Sequence, residues 1–585
     1  MPGAGRVALG AVAGAIVAAF CAPLIRPLFD VPQGGAGFVT VHQYPKGWDY
    51  AVAGLVVFLS FLGGLAASRA VPAQSPPHLP SGGIRRRVSG SVAALVFFFM
   101  LFAHDQPYAL MDMFHEGERL TPAFVMREGG RPHGDIFLLH GVGTDGGLDA
   151  LLMGDPPSPW RARRMYTILN AATMALLVPI AVEVCATATG VILAVLLSMA
   201  AMGAGQAIGF PYFRLAPLLI ATLALLRFAR TSRTRWLAVA FSASTLGVLW
   251  SLDTGIYAVG AAGLLAAAGL VAARRLPNGR EIAAGIAAVV LPLAVLVVIR
   301  ADIKAFFVDS FIIIPSAVDA IWALPARRDF SLESARYYGP LAFYGFLLAL
   351  AFRAPAPARR QIVIVTIFAL MLFRTAAGRV SWSHTRYAMP LIGIAAAAFL
   401  IEPLIRRRRG FSAVAAALPF LLVFETGINV LDGARSVARW PARQRHDGLV
   451  RYPLGTGKGL YTTPQNADEL AALNGYIHAL GPEARFLDFS GERALYYFLQ
   501  RRPPVRCPDI NFLSNPRLLA EAMAELSANP PACVIVAGEP VLRQFDFIPH
   551  EVRVPDLARW IDANYPERLQ MGRFTVAIPP AAPRP

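Results

Sequence analysis

Long apolar runs separated by short polar segments fill the chain up to about residue 432. A run of about 20 apolar residues is long enough to cross a lipid bilayer as a helix. These runs are centred near residues 18, 60, 101, 176, 197, 220, 245, 265, 291, 346, 368, 396 and 421. The pattern therefore predicts a polytopic α-helical membrane protein with about thirteen spans. The first run resembles a signal peptide, but further spans follow and no clear cleavage site is present, so we interpret it as an uncleaved helix.

The pattern changes beyond residue 432, where apolar runs shorten to strand length. The runs ARFLDFS, ACVIVAG and FTVAIPP are typical of buried strands, whereas ADELAALNGYIHAL and PRLLAEAMAELSA have helical spacing. We expect a compact extracytoplasmic α/β domain over 432–585. Before it we expect an N-terminal two-span hairpin and cytoplasmic linker (1–90) and a transmembrane module (91–431) with a long external loop over 112–164.

Arginine clusters between the runs predict the orientation, because Lys and Arg are enriched in cytoplasmic loops. Five clusters fall on one side if the N-terminus is cytoplasmic and no span is missed. They are Arg85–Arg87, Arg227–Arg235, Arg274–Arg280, Arg353–Arg360 and Arg406–Arg409. The opposite side then receives the loop 112–164, the segment 302–337 and the C-terminal domain. The Ala, Arg, Gly and Pro bias favours a multi-pass protein of a bacterial inner membrane.

Composition excludes several classes of protein. The chain is 56% hydrophobic and 16% charged, which is too apolar for an ordinary soluble domain. Its net charge of +17 is spread between apolar runs, so we expect no nucleic-acid partner. The four cysteines lack CxxC spacing, which argues against zinc and thiol chemistry. Cys507 and Cys533 would be able to pair in an oxidising compartment.

Ionisable residues crowd the start of the external loop, in the sequence DMFHEGERLTPAFVMREGGRPHGDIFLLHGVGTDGG. Asp112 stands at the end of a span, and a continued helix would bring His115 and Glu116 to the same face. Glu118, Asp135 and His140 follow in a loop setting that lets them fold over the same place. Such clusters beside a membrane indicate a functional site.

Two simpler interpretations of this cluster stay open. Arg119, Arg127 and Arg131 would be able to neutralise the acids in ordinary surface pairs. The histidines and carboxylates would also suit a divalent metal, although their spacing is not diagnostic. No other cofactor is indicated.

A second group of candidates lies in FRTAAGRVSWSHTRYAMP, between two spans on the external side. It contains Arg374, Arg379, His384 and Arg386. Arginine binds phosphate in a bidentate manner, and a site at the interface suits a lipid-linked phosphate. The alternative is that these arginines reach lipid headgroups. Asp253 is either the N-cap of the next span or an acceptor contact. The segment 302–337 has the aromatic, amphipathic character of a helix lying in the interface, and a plain connector is the alternative.

The acidic motif near a membrane exit, the many spans and the external α/β domain together resemble the GT-C superfamily of integral membrane glycosyltransferases. The resemblance implies transfer of a sugar, with inversion, from a polyprenyl-phosphate donor to an envelope glycan, lipid or protein acceptor. It implies Asp112 as the catalytic base, with His115 and Glu116 as the neighbouring pair and Asp135 as a second acid. In many members the acidic loop follows the first span, whereas here it follows the third.

The chemistry of the candidate residues agrees with that resemblance. Sugar transfer needs a base for the acceptor hydroxyl and cations for the departing phosphate. A transporter or flippase is a second hypothesis, although such proteins usually carry charges near span midpoints and repeated halves. A non-catalytic envelope assembly protein is a third, and it predicts that Asp112 is dispensable.

Overall fold

The computed structural model describes residues 37–67, 82–104, 110–203, 211–407, 410–443, 445–537, 544–546 and 548–580. The predicted span near residue 18 lies outside these residues. The helices of the membrane part, in chain order, are Phe38–Val41, Gly47–Ala67, Gly82–His104, Pro159–Ala175, Leu177–Val184, Ala188–Ala201, Tyr212–Leu215, Ala216–Thr231, Thr234–Trp250, Leu252–Ala273, Gly279–Val298, Ile303–Val308, Asp309–Ile313, Ile314–Trp322, Leu332–Arg353, Ala356–Gly378, Trp382–Tyr387, Ile392–Ala396, Ala397–Ile401, Glu402–Arg406, Gly410–Val423, Thr426–Ala438 and Trp440–Arg443.

The protein is a multi-pass membrane protein. Seven helices in the described residues are long and apolar enough to span a bilayer, and a bent pair over 412–438 makes an eighth. Two predicted spans are instead shorter apolar helices, over 89–103 and 188–201. The count of thirteen spans is therefore not confirmed.

The helix over 303–322 is apolar and long enough to span, yet its packing resembles the interfacial helix that the sequence predicts. Ile313, Ala317 and Ile321 share one apolar cluster with Val505 and Phe512 of the C-terminal domain. One half of this helix therefore covers the C-terminal domain. Its opposite face exposes large apolar side chains, Phe307, Phe311 and Ile312.

The C-terminal domain contains eight strands in its described part. They are β1 (Val450–Arg451), β2 (Tyr461–Thr462), β3 (Phe486–Phe489), β4 (Cys533–Ala537), β5 (Gln544–Phe545), β6 (Ile548–Pro549), β7 (Glu567–Met571) and β8 (Phe574–Ile578). The main sheet has the order β3-β4-β8-β7, with β3 and β4 parallel and the other pairs antiparallel. Helices Pro464–Ala479, Leu495–Phe498, Pro516–Ala528, His550–Arg553 and Pro555–Asn564 complete it, with short 3-10 turns at Gly455–Gly457 and Phe512–Ser514.

The three strands predicted from apolar runs are confirmed as β3, β4 and β8, and both predicted helices are present. The strand β7 was not predicted, because its sequence ERLQM alternates between half-buried and exposed positions and contains little β-branched character. Cys507 and Cys533 do not form the disulfide considered above. Each is a free, buried thiol, and they belong to different apolar clusters of the domain.

The external loop packs directly against the C-terminal domain. The loop forms helix Gly117–Arg127, a turn of π-helix at Gly143–Gly147 and helix Leu148–Leu152. Leu120, Phe124 and Ile136 of the loop share one apolar cluster with Phe486 and Leu495 of the domain. Burial of this shared apolar surface joins the two parts into one unit.

Gly117 lies at the closest approach between the loop and the domain. A Cβ added there would come within 2.3 Å of Ala494 N and 2.8 Å of the Arg493 carbonyl carbon. We expect Gly117→Ala to destabilise the docked loop by about 1–3 kcal/mol, because backbone atoms on both sides have to move apart. The midpoint of thermal unfolding in detergent measures this.

Gly475→Ala is the matched control. Gly475 lies inside helix Pro464–Ala479, and no atom stands within 4 Å of an added Cβ. This change should leave stability unchanged or raise it by up to about 1 kcal/mol, because Ala is the better helix former. Equal melting of the two variants would contradict the close packing at Gly117.

Candidate active site

The segment 111–115, called the acidic turn below, begins the external loop. Asp112 Oδ1 accepts hydrogen bonds from the backbone N–H groups of Phe114 and His115 at 3.1 and 3.0 Å. Its Oδ2 lies 2.6 Å from Nδ1 of His115. Both side chains are about half exposed, at 54% and 53%. The turn thus holds a carboxylate and an imidazole as a fixed pair that opens to water.

The pair changes the titration of both groups. Partial desolvation works against the carboxylate, but the hydrogen bond and charge of His115 and the two backbone N–H groups together outweigh it and hold the pKa of Asp112 below its usual value. Desolvation likewise works against the charged imidazole, but the bond to Asp112 and the nearby charge of Glu118 raise the pKa of His115. With Nδ1 turned to the carboxylate, Nε2 is the ring nitrogen left to meet a substrate.

Arg493 of the C-terminal domain clamps the acidic turn and the helix that follows it. Its guanidinium bonds Glu118 and Asp509, each at 2.8 Å, and lies 4.2 Å from the centre of the Phe114 ring. The backbone adds to this clamp, since Thr121 Oγ1 donates to Arg493 O at 2.6 Å. Two carboxylates and an aromatic face satisfy a buried cation that would otherwise be costly.

A cavity of about 410 Å³ lies between the acidic turn and the C-terminal domain. That volume lies in the range of small-ligand pockets. The turn contributes Asp112, Phe114 and His115, and the domain contributes Ser490, Glu492 and Arg573, among others. The site therefore has walls from two distant parts of the chain.

The domain side of the cavity follows the carboxyl end of β3, a common place for ligands in parallel sheets. Gly491 turns the chain there with a φ of +85°, which glycine adopts without strain. Glu492 then pairs with Arg573, whose Nη2 lies 2.9 Å from Oε2. Burial raises the pKa of Glu492 to about 7 even though Arg573 opposes the shift.

A second group of polar residues lies where the loop meets the membrane helices. Arg214 Nη2 lies 2.8 Å from Asp253 Oδ1 and 3.3 Å from His140 Nδ1. Desolvation and the Arg214 charge hold the pKa of His140 well below its usual value. Asp145 accepts from the backbone N–H of His140 at 2.6 Å, and burial raises the pKa of Asp145 to about 8.

The capping role considered for Asp253 is wrong. Helix Leu252–Ala273 has Ser251 as its N-cap residue, and Asp253 stands in the first turn with its carboxylate on Arg214 and on the Ser251 hydroxyl. The reason is the buried Arg214. Its charge would be costly without a carboxylate partner, and Asp253 supplies that partner.

Two acids expected at the same place lie apart from the cavity lining. Glu116 was expected on one helical face with Asp112, but the helix begins only at Gly117, and its carboxylate turns to Arg163 at 2.5 Å. Asp135 lies 3.2 Å from Arg131, with 39% of its side chain exposed. The Asp135–Arg131 pair is the exposed pair that the simpler interpretation predicts, whereas Glu116 is mostly buried and its shortest ion pair is with Arg163.

The four external cations do not form one cluster of charge. Arg374 pairs with Asp319 at 3.1 Å, and Arg379 pairs with Asp546 at 2.5 Å. Arg386 and Arg336 both stack on the Trp382 indole, at 4.3 and 3.9 Å, and both approach Glu425 beside the bend of the last long helix pair. His384 accepts or donates a 2.7 Å bond with Ser381 Oγ, and burial beside Arg379 lowers its pKa to about 3.

No group of three or more His, Cys, Asp or Glu side chains in the described part of the chain is arranged to hold a metal ion. The carboxylates of the loop are instead held by arginines and backbone N–H groups. The divalent metal that the sequence leaves open therefore has no candidate ligand set among these residues.

Sequence reasoning missed the contribution of the C-terminal domain to the cavity. Glu492, Arg573 and His550 of the domain line the cavity, and Arg493 holds the loop beside it through Glu118. The charged run SGER directly after the predicted strand ARFLDFS was an available signal, because ligands gather at the carboxyl ends of parallel strands. Arg573 gave no comparable signal, since it meets Glu492 only through the pairing of β8 with β4.

Comparison with known proteins finds similarity in fold alone. No protein-family model and no curated protein matches the chain. The crystal structure of ArnT from Cupriavidus metallidurans bound to undecaprenyl phosphate matches with TM-score 0.46 and 13% identity, over 86% of this chain and 100% of that one. The apo form of that protein matches with TM-score 0.41 and 13% identity, over 84% and 97%.

The cryo-EM structure of the arabinosyltransferase EmbB from Mycobacterium smegmatis matches with TM-score 0.35 and 14% identity, over 83% of this chain and 45% of that one. At this level of similarity the function has to be inferred from the residues of this chain.

The Asp112–His115 pair makes a direct prediction. The pKa of His115 should lie above the ordinary histidine value of about 6.5, and Asp112→Asn should lower it, because the neutral amide no longer favours the imidazolium ion. NMR titration of protein labelled at histidine, with His115→Gln to assign the signal, measures both values. An unchanged His115 titration in Asp112→Asn would show that the pair does not form in solution.

Proposed function

We propose that the protein is a membrane glycosyltransferase that moves a sugar from a polyprenyl-phosphate donor to an acceptor hydroxyl outside the cytoplasm, with inversion. The observation that carries this proposal is the Asp112–His115 pair, which opens into a cavity at the membrane exit. Such a pair is suited to take a proton, and a cavity of this size is suited to hold a sugar.

In this proposal His115 takes the proton, and Asp112 orients the imidazole ring. The acceptor hydroxyl loses its proton to Nε2 as its oxygen attacks the anomeric carbon, and the bond from that carbon to the phosphate oxygen breaks. The resulting imidazolium ion is stabilised by Asp112 at 2.6 Å. The resemblance alone implied a base at Asp112, but the oxygens of Asp112 are engaged by the turn and by the ring.

The remaining candidates of the loop surround this pair. Glu118 contributes charge beside His115 and ties the turn to Arg493. His140 and Asp253 flank Arg214 where the loop meets the membrane helices. Glu116 and Asp135 are proposed to act only through the loop structure, because arginines engage both carboxylates.

The donor phosphate needs a cationic position close to the bilayer. Arg386 is our candidate among the four cations of the segment FRTAAGRVSWSHTRYAMP. It lies with Arg336 on Trp382, and because Glu425 is one carboxylate facing two guanidinium groups, positive charge is left to favour a further anion. Arg374, Arg379 and His384 would shape the surrounding wall.

We further propose that the protein lies in the bacterial inner membrane, with a cytoplasmic N-terminus and an extracytoplasmic C-terminal domain, in line with the arginine clusters.

The test is sugar transfer by purified protein from a panel of radiolabelled polyprenyl-phosphate sugars, with crude envelope glycan as acceptor. His115→Gln and Asp112→Asn should each lower kcat by about 10²- to 10⁴-fold, which is the usual contribution of general base catalysis. In wild type, activity should fall as the pH drops through the raised pKa of His115. In Asp112→Asn that fall should move to lower pH.

Asp556→Asn is the matched control. Asp556 is an exposed carboxylate with a local arginine partner, Arg559, and lies outside the cavity lining. It should transfer at the wild-type rate. Full activity in folded His115→Gln would overturn the assignment of the base. Failure of wild type to consume any donor would overturn the enzymatic proposal and favour transport or envelope assembly.

A further inference from the structure

The cavity has a second wall that the proposed chemistry does not use. It is formed by the C-terminal domain, with Glu492 and Arg573 as its charged pair. We propose that the Glu492–Arg573 pair recognises an uncharged sugar residue of the acceptor and presents its hydroxyl to the acidic turn. This inference rests on the proposed function and names the acceptor class for that same cavity.

Charge balance is the first argument. The two carboxylates of the cavity lining are each already engaged. Asp112 lies 2.6 Å from His115, which is neutral when it is ready to take a proton, and Glu492 lies 2.9 Å from Arg573. Arg573 also lies 3.5 Å from Glu469, so its charge is shared between two carboxylates. An anionic acceptor would have to compete with these carboxylates for the same guanidinium. A neutral polyol does not meet that opposition.

Hydrogen-bonding capacity is the second argument. Arg573 engages Oε2 of Glu492, and no described residue hydrogen-bonds to Oε1. Arg573 Nη1 donates to Asn466 Oδ1 at 3.0 Å, which leaves the Asn466 amide N–H groups as donors. A carboxylate acceptor beside amide donors matches the mixed donor and acceptor character of sugar hydroxyl groups. Because these groups are fixed before binding, the ordering cost is small.

Position is the third argument. Glu492 directly precedes Arg493, which holds Glu118 and Phe114 of the loop. The backbone N–H of Ala494 also donates to Met113 O at 3.0 Å, inside the acidic turn. Glu492 and His115 are therefore kept in a fixed relation across the cavity. A sugar bound to Glu492 would reach His115 without rearrangement of the domain.

Binding can be measured without a donor. Saturation-transfer NMR titrations of the full-length protein in nanodiscs would use the methyl glycosides of glucose, galactose, mannose and arabinose, with methyl glucuronide as the anionic probe. We expect at least one neutral glycoside to bind, and the glucuronide to bind about tenfold more weakly or not at all. Glu492→Gln should weaken the neutral glycoside about tenfold, because a hydrogen bond to a charged group is lost.

Two further variants keep the test decisive. Arg573→Lys retains the charge but loses the forked geometry, and it should also weaken binding. Asp562→Asn removes an exposed acid paired with Arg568 on the same domain, outside the cavity lining, and should bind as wild type. Thermal melting of each variant shows whether it is folded.

Glycoside binding and sugar transfer are measured separately. If wild type transfers sugar but Glu492→Gln keeps the wild-type glycoside affinity and acceptor KM, this inference is wrong and the proposed function stands. The inference is also wrong if no neutral glycoside binds or if the glucuronide binds equally well. If a glycoside binds in a Glu492-dependent manner but wild type consumes no donor, the sugar site stands and the proposed reaction is wrong.

Discussion

The buried guanidinium of Arg493 is the interaction on which the rest of the site depends. Its charge is matched by Glu118 from the external loop and by Asp509 from the C-terminal domain, and its flat face covers Phe114. Removing the guanidinium would leave two carboxylates without their cation in a buried place, which is far more costly than the loss of a surface pair. The loop and the domain are consequently held in one arrangement, and the cavity between them has a defined shape.

The same principle recurs around the cavity, where charges stand in pairs of opposite sign. Glu492 with Arg573 and Asp253 with Arg214 each combine a carboxylate with a cation, and Asp112 with His115 becomes such a pair when the imidazole takes a proton. Pairing lets charged groups remain in a partly desolvated place without a large cost. It also separates their tasks, because the pKa of Asp112 is lowered while burial raises that of Glu492 to about 7.

The sequence predicts the membrane class, three of the four strands of the main sheet and the acidic turn, because each depends on local periodicity or composition. It also singles out His115 and Glu118, which bond to Asp112 and Arg493, and His140 and Asp253, which both contact Arg214. It cannot show that Glu116 turns to Arg163, since the kink before Gly117 depends on tertiary packing. Nor can it show that Arg573 meets Glu492, which requires the register of a sheet formed across distant segments.

The split origin of the cavity has a consequence for how the protein is made. Glu118 and Arg493 are 375 positions apart, so the clamp cannot close while the ribosome is still adding the membrane helices. The loop must wait with its acids in water until the last part of the chain has been made and has folded. A chain that stops early therefore carries the acidic turn but no enclosed cavity, and completeness of the polypeptide is a condition for the site to exist.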